Sequence, residues 1–253
     1  RRQRQMCIRD RGISVGHVKP LLDQVAGDVA AAPSATGEGD TWKDHQDRML
    51  SAIEGFDEQA LDRSYNDALS LYPLDIVNQR LTTPLLRLLG ERWQKRATGI
   101  AEEHFFSLYL RNKLGARIHH MNQRGNGPLL LLACLPGELH ETGLLFFALA
   151  AVDAGYRALI LGANTPLQQI PAVLDTRPCA AVILSGSSKP ARGVIDKELP
   201  NLIDRVKTPV FIGGDTAVSH QAKLEQGGAI CLGKNIAQGL QLINKTLKTR
   251  QPR

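Results

Sequence analysis

The sequence predicts an α/β protein in which an N-terminal four-helix bundle, the cap, precedes a Rossmann-like, doubly wound sheet of five parallel strands. Three observations predict this class. Residues 42–122 carry apolar side chains at helical spacing. The segment RGNG at 124–127 then breaks the helical pattern. From residue 129 onward, short apolar runs alternate with helical segments, as expected for parallel strands joined by crossover helices.

These patterns divide the chain into three regions, at 1–41, 42–123 and 127–250. In the first region, residues 1–11 have no amphipathic period, and we interpret them as a disordered basic tail or a translated sequencing-adapter peptide. Residues 14–31 predict one helix, with Ser14 as its N-cap. Residues 31–41 are small and polar and contain glycine and proline, a composition typical of a linker.

Four helices are predicted in the second region, at 42–54, 57–72, 74–96 and 100–122. Several leucines give the third of them a broad apolar face, and Pro84 within it predicts a kink. Because the connections between successive helices are short, a bundle is the favoured arrangement.

Five strands are predicted in the third region, at 129–135, 157–161, 180–184, 209–212 and 229–232. Helices are predicted near 140–154, 167–175, 193–206, 216–226 and 236–248. Ligands of such sheets bind at the carboxyl ends of the strands. The loops that follow the strands are therefore the places where the sequence predicts a site.

The composition is that of an ordinary globular protein, and its net charge of +6 arises at its two ends. Residues 1–12 and 245–253 each carry +4, so the 232 residues between them carry −2. A basic DNA-binding face is therefore weakly supported. No apolar run is long enough to cross a membrane, no signal-peptide pattern is seen, and the four cysteines have long spacings. We expect a cytoplasmic protein with reduced thiols.

The loop after the first predicted strand contains Glu138, His140 and Gly143 in an ExHxxG pattern. A histidine that ligates a metal usually gives its other ring nitrogen to a carboxylate, and Glu138 is close enough to take that role. Gly143 would let a ligand approach the backbone closely. The alternative is a polar turn that caps the following helix.

Small residues follow three other strands. The third strand ends in Ser185-Gly186-Ser187, the fourth in Gly213-Gly214-Asp215, and Gly233 follows the fifth. Each is also ordinary turn chemistry. Together their order predicts a deep slot along one side of the sheet.

With these loops, residues 127–248 resemble the cobalamin (B12)-binding Rossmann-like domain. The resemblance implies that His140 is the lower axial ligand of cobalt and that Glu138 and Ser185 support it. It further implies that Ser187, Gly213, Gly214 and Gly233 line the slot for the displaced nucleotide tail. The chain departs from that family by having Glu138 where aspartate is commoner and Ser187 where leucine is common.

In the helical region, Trp93 is followed after nine residues by Glu103-His104, with a break at Ala97-Thr98-Gly99 between them. We expect Trp93 at the end of one helix and Glu103-His104 early in the next, converging at one end of the bundle. The alternative is a core tryptophan beside solvated polar residues. Next to a B12 domain, this pattern resembles the cap of CarH/LitR-type regulators. That implies contact of Trp93, Glu103 and His104 with the upper ligand, an adenosyl group, and a role in light sensing.

Gln94 stands where light-sensing members of that family have a histidine. We therefore expect that any light response here ends without two histidines on cobalt, although His104, His119 or His120 remain possible substitutes. Gly12-Ile13-Ser14 and the following helix resemble the last part of a MerR-type winged-helix domain. No complete helix-turn-helix fits into residues 1–30, so we expect this chain alone to bind operator DNA poorly.

The sequence thus predicts the cobalamin-binding sensory and oligomerisation region of a MerR-type transcription regulator, forming homodimers or homotetramers without membrane contact. The alternatives are a corrinoid shuttle subunit of a methyltransferase system and a sheet domain for another ligand. We expect no enzyme activity. The sequence contains no nucleophile and base at a spacing that brings them together, and it contains no GxGxxG or GxxxxGK[ST] loop. Any chemistry would belong to the cofactor.

Overall fold

The computed structural model describes residues 38–93 and 95–250. The predicted helix at 14–31, its MerR-type remnant, most of the predicted linker and Gln94 lie outside these residues. The chain divides between Arg48 and Met49 into two compact units, of which the first contributes only residues 38–48 to the description.

The helical half is built from segments that follow the apolar periodicity of the sequence. They are α1 (Glu38–Glu54), α2 (Glu58–Leu71), α3 (Leu74–Val77), a π-helical turn (Asn78–Thr82), α4 (Thr83–Arg92) and α5 (Gly99–Asn122). Two predicted bounds are wrong. Residues 38–41 are helical rather than linker. The third predicted helix ends at Arg92 rather than at residue 96, since a tight turn leads there into α5.

A kink was predicted at Pro84, and a π-helical turn directly precedes α4 there. Proline has no N–H, and its ring collides with the carbonyl four residues earlier. A single π turn widens the helix at this point, so that the chain continues with Pro84 in the first turn of α4.

Five parallel strands form one sheet in the order β2-β1-β3-β4-β5. They are β1 (Leu129–Cys134), β2 (Arg157–Gly162), β3 (Ala181–Ser185), β4 (Val210–Gly213) and β5 (Ile230–Gly233). All five match the predicted runs to within one residue, and the predicted α/β class is confirmed. After β1 the chain first adds β2 on one side and then β3 on the other. The carboxyl ends of β1 and β3 therefore flank the topological switch point, where ligands of such sheets bind.

Helices cover both faces of the sheet. They comprise α6 (Thr142–Asp153), α7 (Ile170–Thr176), α8 (Leu199–Arg205), α9 (Asp215–Ser219), α10 (Gln221–Gln226) and α11 (Ile236–Arg250), with a 3-10 turn before α7 and a π turn before α8. Helix α6 is buried on nearly all sides, because the sheet lies against one side and α5 against another. Such a helix is apolar all round rather than amphipathic.

Two contacts fix the direction of α5 against the sheet. At its C-terminus, the Asn122 amide donates to the Ala158 carbonyl oxygen and accepts from the Ala158 N–H, both at 2.8 Å, near the amino end of β2. Halfway along the helix, Arg111 forms an ion pair with Glu141, in the loop after β1. Helix α5 therefore runs antiparallel to the strands, and its first turns project beyond their carboxyl ends.

In the described part of the chain, no helix combines the length and the apolar character that a membrane span requires.

Candidate functional site

The centre of the candidate site is the pair formed by Glu138 and His140 in the loop after β1. Nδ1 of His140 lies 2.8 Å from Oε1 of Glu138, and the same oxygen accepts the His140 backbone N–H at 2.8 Å. The histidine side chain is 58% exposed, whereas that of Glu138 is 2% exposed. Since the carboxylate occupies Nδ1, Nε2 is the nitrogen that an outside ligand or metal can use.

The second oxygen of Glu138 is held by the loop after β3. It accepts the backbone N–H groups of Ser187 and Ser188, both at 2.7 Å, and their hydroxyls at 2.8 and 2.9 Å. Burial by itself would raise the pKa of Glu138, but the hydrogen bonds from His140, Ser187 and Ser188 outweigh it and lower this pKa to about 2. The carboxylate therefore stays ionised and keeps the histidine ring in one orientation.

The hydroxyl groups that donate to Glu138 come from Ser187 and Ser188, whereas the resemblance implied Ser185. Ser185, expected to support the histidine, is the last residue of β3, and its carbonyl oxygen accepts the Leu135 N–H. Ser187, expected only in the slot, donates to Glu138 together with Ser188. The strand ends one residue later than predicted, which moves the first loop hydroxyl to Ser187.

Glycines after β3 and β4 let these two loops pack backbone to backbone. A Cβ on Gly186 would lie 2.5 Å from Oγ1 of Thr216, and one on Gly214, where φ is +91°, would lie 2.4 Å from the Gly186 oxygen. Only glycine fits such approaches. Gly213 and Gly233 end β4 and β5, and the Gly214 N–H donates to the Gly233 oxygen at 2.9 Å. The predicted slot residues thus adjoin one another along the carboxyl edge.

Two of the predicted glycines face open space instead. A Cβ on Gly143, in the first turn of α6, would meet no atom within 4 Å, and the same holds at Gly233. The lack of a side chain at Gly143 is therefore not required by packing in the described residues. It leaves open space in the first turn of α6, three residues after His140.

Exposed apolar side chains surround the same edge. Leu139 is 69% exposed next to His140, Val218 is 52% exposed in α9, and Leu161 near the end of β2 is 37% exposed. On the projecting part of α5, Ile100 and Leu108 are about half exposed. Exposed apolar side chains of this kind are a usual feature of ligand sites.

The residues predicted in the helical half are placed as expected along the chain. Trp93 follows the last residue of α4 and is 39% exposed, while Glu103 and His104 lie in the second turn of α5. Glu103 repeats the arrangement of Glu138, since one carboxylate oxygen lies 2.8 Å from Nδ1 of His104 and the other accepts the Ser107 hydroxyl at 2.6 Å.

The direction of α5 relates these residues to His140. His104 precedes Arg111 by seven residues, which is two turns and about 10 Å along the helix axis, on the same face. Arg111 contacts Glu141, the residue after His140. His104 therefore lies on the carboxyl-edge side of Arg111. His119 and His120 lie at the opposite end of α5, near Asn122 and its partner Ala158, so His104 is the one of the three that adjoins this edge.

Sequence reasoning missed several residues that organise the site. Ser188, Arg111 and Glu141 were not singled out, and Asn164, whose side chain accepts the Gly137 N–H at 2.8 Å, ties the loop after β2 to the loop after β1. Their partners lie dozens of residues away, so no local spacing signals them. Within residues 38–93 and 95–250, no three His, Cys, Asp or Glu side chains form a metal-binding cluster.

Comparisons with known proteins find a B12-binding family, two transcriptional repressors and a corrinoid protein similar to this chain. Residues 45–118 match the sequence model of a family described as the B12 binding domain. The chain is 29% identical over 228 residues to the HTH-type transcriptional repressor CarH of Myxococcus xanthus, covering 87% of this chain and 75% of the repressor. It is 29% identical over 134 residues to the repressor CarA of the same organism, covering 53% and 45%.

Among solved structures, the monomethylamine corrinoid protein of Methanosarcina barkeri superposes with a TM-score of 0.61 at 14% identity, covering 81% of this chain and 99% of that protein. This likeness shows a common fold.

Proposed function

We propose that this chain binds cobalamin, with Nε2 of His140 as the lower axial ligand of cobalt. The observation that carries the proposal is the exposed His140 ring held by a buried, ionised Glu138 at the switch point of the sheet. A carboxylate that orients a metal-ligating histidine through its other ring nitrogen is a recurrent arrangement. The family match over residues 45–118 and the similarity to CarH support the same ligand.

The residues present fit this cofactor. A corrin ring fills four cobalt positions, so one imidazole is enough from the protein below it. The open space at Gly143 and Gly233 and the exposed Leu139, Leu161 and Val218 suit a large, partly apolar molecule. Ser185, Ser187, Gly213, Gly214 and Gly233 would border its nucleotide tail.

We further propose that the upper ligand is an adenosyl group, bordered by Trp93, Glu103 and His104. When bound, adenosylcobalamin would supply a light-sensitive cobalt–carbon bond. The exposed Trp93 ring offers a stacking surface, and the Glu103–His104 pair offers polar atoms on the part of α5 that projects beyond the carboxyl edge. The chain would then be the sensory and oligomerisation region of a MerR-type regulator, in which the upper ligand biases the assembly state.

Retention of adenosylcobalamin in the dark tests the proposal. The chain, His140→Ala and the control His119→Ala are mixed with the cofactor, passed through a desalting column and measured by absorption and light scattering before and after illumination. His119 is a matched exposed histidine at the far end of α5. We expect the parent and His119→Ala to retain cofactor and to change in mass on illumination, and His140→Ala to bind at least about tenfold more weakly.

Equal retention by His140→Ala would refute the ligand assignment. Retention without any mass change, together with reduction to Co(I) and acceptance of a methyl group, would instead identify a corrinoid shuttle protein.

A further inference from the structure

The turn between α4 and α5, which carries Trp93, is tightly held on its inner side. The Arg96 N–H donates to the Arg92 oxygen at 3.1 Å, and the Gly99 N–H donates to the Arg96 oxygen at 3.1 Å. A Cβ on Gly99 would lie 2.5 Å from the Arg92 oxygen and 3.2 Å from Cα of Trp93. The backbone of α5 therefore begins directly against the residue that carries the indole.

Two glutamates and two arginines close this turn by charge. Glu54, the last residue of α1, accepts from Arg92 at 2.5 Å and from Arg96 at 3.1 Å, both on Oε1. Arg96 also reaches Glu102 in α5, with Nε 3.2 Å from Oε1. Arg92 and Arg96 flank Trp93 in the sequence, and Glu102 precedes Glu103. One arginine thus links the tryptophan turn to the helix that carries Glu103 and His104.

The environment of Glu102 is not one in which a carboxylate stabilises the fold. Its side chain is fully buried, and Oε1 receives both Arg96 and the Thr98 hydroxyl, the latter at 2.6 Å. Oε2 is buried and has no hydrogen-bond partner in the described residues. A buried carboxylate with an unused oxygen costs stability, and apolar residues of similar size often replace buried ion pairs without loss. Its charge is better explained by the orientation that it imposes on Arg96.

We propose that Glu102 and Arg96 are positioning residues that fix the Trp93 ring relative to Glu103 and His104, and thereby set which upper ligand the cap accepts. The second part rests on the proposed function; the first part concerns the protein without cofactor. Neither residue is assigned contact with the ligand. They act through the turn, whose displacement would change the space above the His140 loop.

The test uses a Trp42→Phe background, in which Trp93 is the remaining tryptophan of the two in the chain. Arg96→Met and Glu102→Gln are compared with the parent and with Lys113→Met. Lys113 is the matched control. It lies in the same helix, α5, but forms an ion pair with Asp62 of α2, away from the turn. Time-resolved fluorescence anisotropy reports the motion of the indole in the apoprotein. Dissociation constants for adenosylcobalamin and hydroxocobalamin report the selection of the upper ligand.

We expect Arg96→Met and Glu102→Gln to increase the fast component of the anisotropy decay and to reduce the preference for the adenosyl form about fivefold. We expect Lys113→Met to change neither. Unchanged indole motion in folded Arg96→Met would overturn the proposal, and because Arg96 is 41% exposed this variant remains informative if Glu102→Gln does not fold.

The two proposals fail in different ways. If the parent binds neither cobalamin, the proposed function is wrong, while the anisotropy of the apoprotein still decides the positioning role. If both cobalamins bind and the preference for the adenosyl form is unchanged in both variants, the selection of the upper ligand through this turn is refuted.

Discussion

Arg111 of α5 forms an ion pair with Glu141, the residue that follows His140 in the loop after β1. The helix that carries Glu103 and His104 is therefore tied directly to the loop that carries the proposed cobalt ligand. In the proposed cobalamin complex, this pair would connect the helix above the corrin with the loop below it.

Charge reversal at this pair tests the connection. Arg111→Glu places two carboxylates together, and we expect it to weaken adenosylcobalamin binding about two- to fivefold, the range for a partly exposed pair. The double variant Arg111→Glu/Glu141→Arg should recover most of the loss, as measured in a double-mutant cycle of dissociation constants. Arg117→Glu makes the same charge change further along α5 and serves as the control. If the effects of Arg111→Glu and Glu141→Arg on the dissociation constant were additive, the interaction between these two residues would not contribute to cobalamin binding.

Gly143→Leu tests whether the open space at this position matters for ligand binding rather than for packing. A Cβ at this position would meet no atom within 4 Å, so we expect Gly143→Leu to leave the melting temperature of the apoprotein unchanged or raised, since leucine favours a helix. We expect the same variant to lose cobalamin binding, because the leucine would occupy space that the proposed cofactor uses.

Gly186→Ala is the opposite case, because its Cβ would lie 2.5 Å from Oγ1 of Thr216. We expect it to lower the melting temperature of the apoprotein. For the other variant, Gly143→Leu, normal cobalamin binding would show that the cofactor does not occupy the space at Gly143.

Glu138→Gln tests the orientation of the histidine. Glutamine keeps the size of the side chain but removes the charge, and its amide donors cannot accept the bonds that Ser187 and Ser188 now make to the carboxylate. We expect cobalamin affinity to fall about 10- to 100-fold, the usual effect of losing such a partner of a metal ligand. Isothermal titration calorimetry with hydroxocobalamin measures the change. Glu198→Gln serves as a control, because Glu198 is a partly exposed glutamate that accepts a hydrogen bond from Gln168 rather than from His140, Ser187 or Ser188.

Acid stability of the apoprotein follows from the same carboxylate. The folded state lowers the pKa of Glu138 from 4.5 to about 2, because hydrogen bonds to the carboxylate outweigh its burial. Such a group stabilises the fold fully above its unfolded pKa, and this contribution, on the order of 3 kcal/mol, is lost as the pH falls from about 4.5 to about 2. Urea unfolding between pH 6 and pH 2.5 should show this loss in the parent and a smaller one in Glu138→Gln. Parallel pH curves would contradict the hydrogen-bond account.

The elements of the fold were predictable because each rests on a local pattern. The apolar runs from Leu129 and Val210 stand out between helical segments, and they become buried strands within one residue of their predicted bounds. His140 and its partner Glu138 were also within reach, since they are two residues apart. The start of α1 at Glu38 was not, because residues 31–41 are small and polar and contain glycine and proline, a composition that favours a linker.

Contacts between distant parts of the chain were beyond sequence reasoning. Glu138 and Ser188 are 50 residues apart, and Glu54 and Arg96 are 42 apart. No spacing signals such a pair, because the sheet order and the direction of α5 decide which loops meet. The resemblance gave the supporting role to Ser185, but Ser187 and Ser188 donate to Glu138, because Ser185 is the last residue of β3.

Electron paramagnetic resonance of the Co(II) form tests the central claim most directly. The nuclear spin of an axial nitrogen splits the cobalt lines into triplets for nitrogen-14 and doublets for nitrogen-15. With uniformly nitrogen-15-labelled protein and unlabelled cobalamin, our account predicts doublets that are absent from His140→Ala. Triplets in the labelled protein would mean that the cofactor's own base still ligates cobalt, and would contradict the assignment of His140.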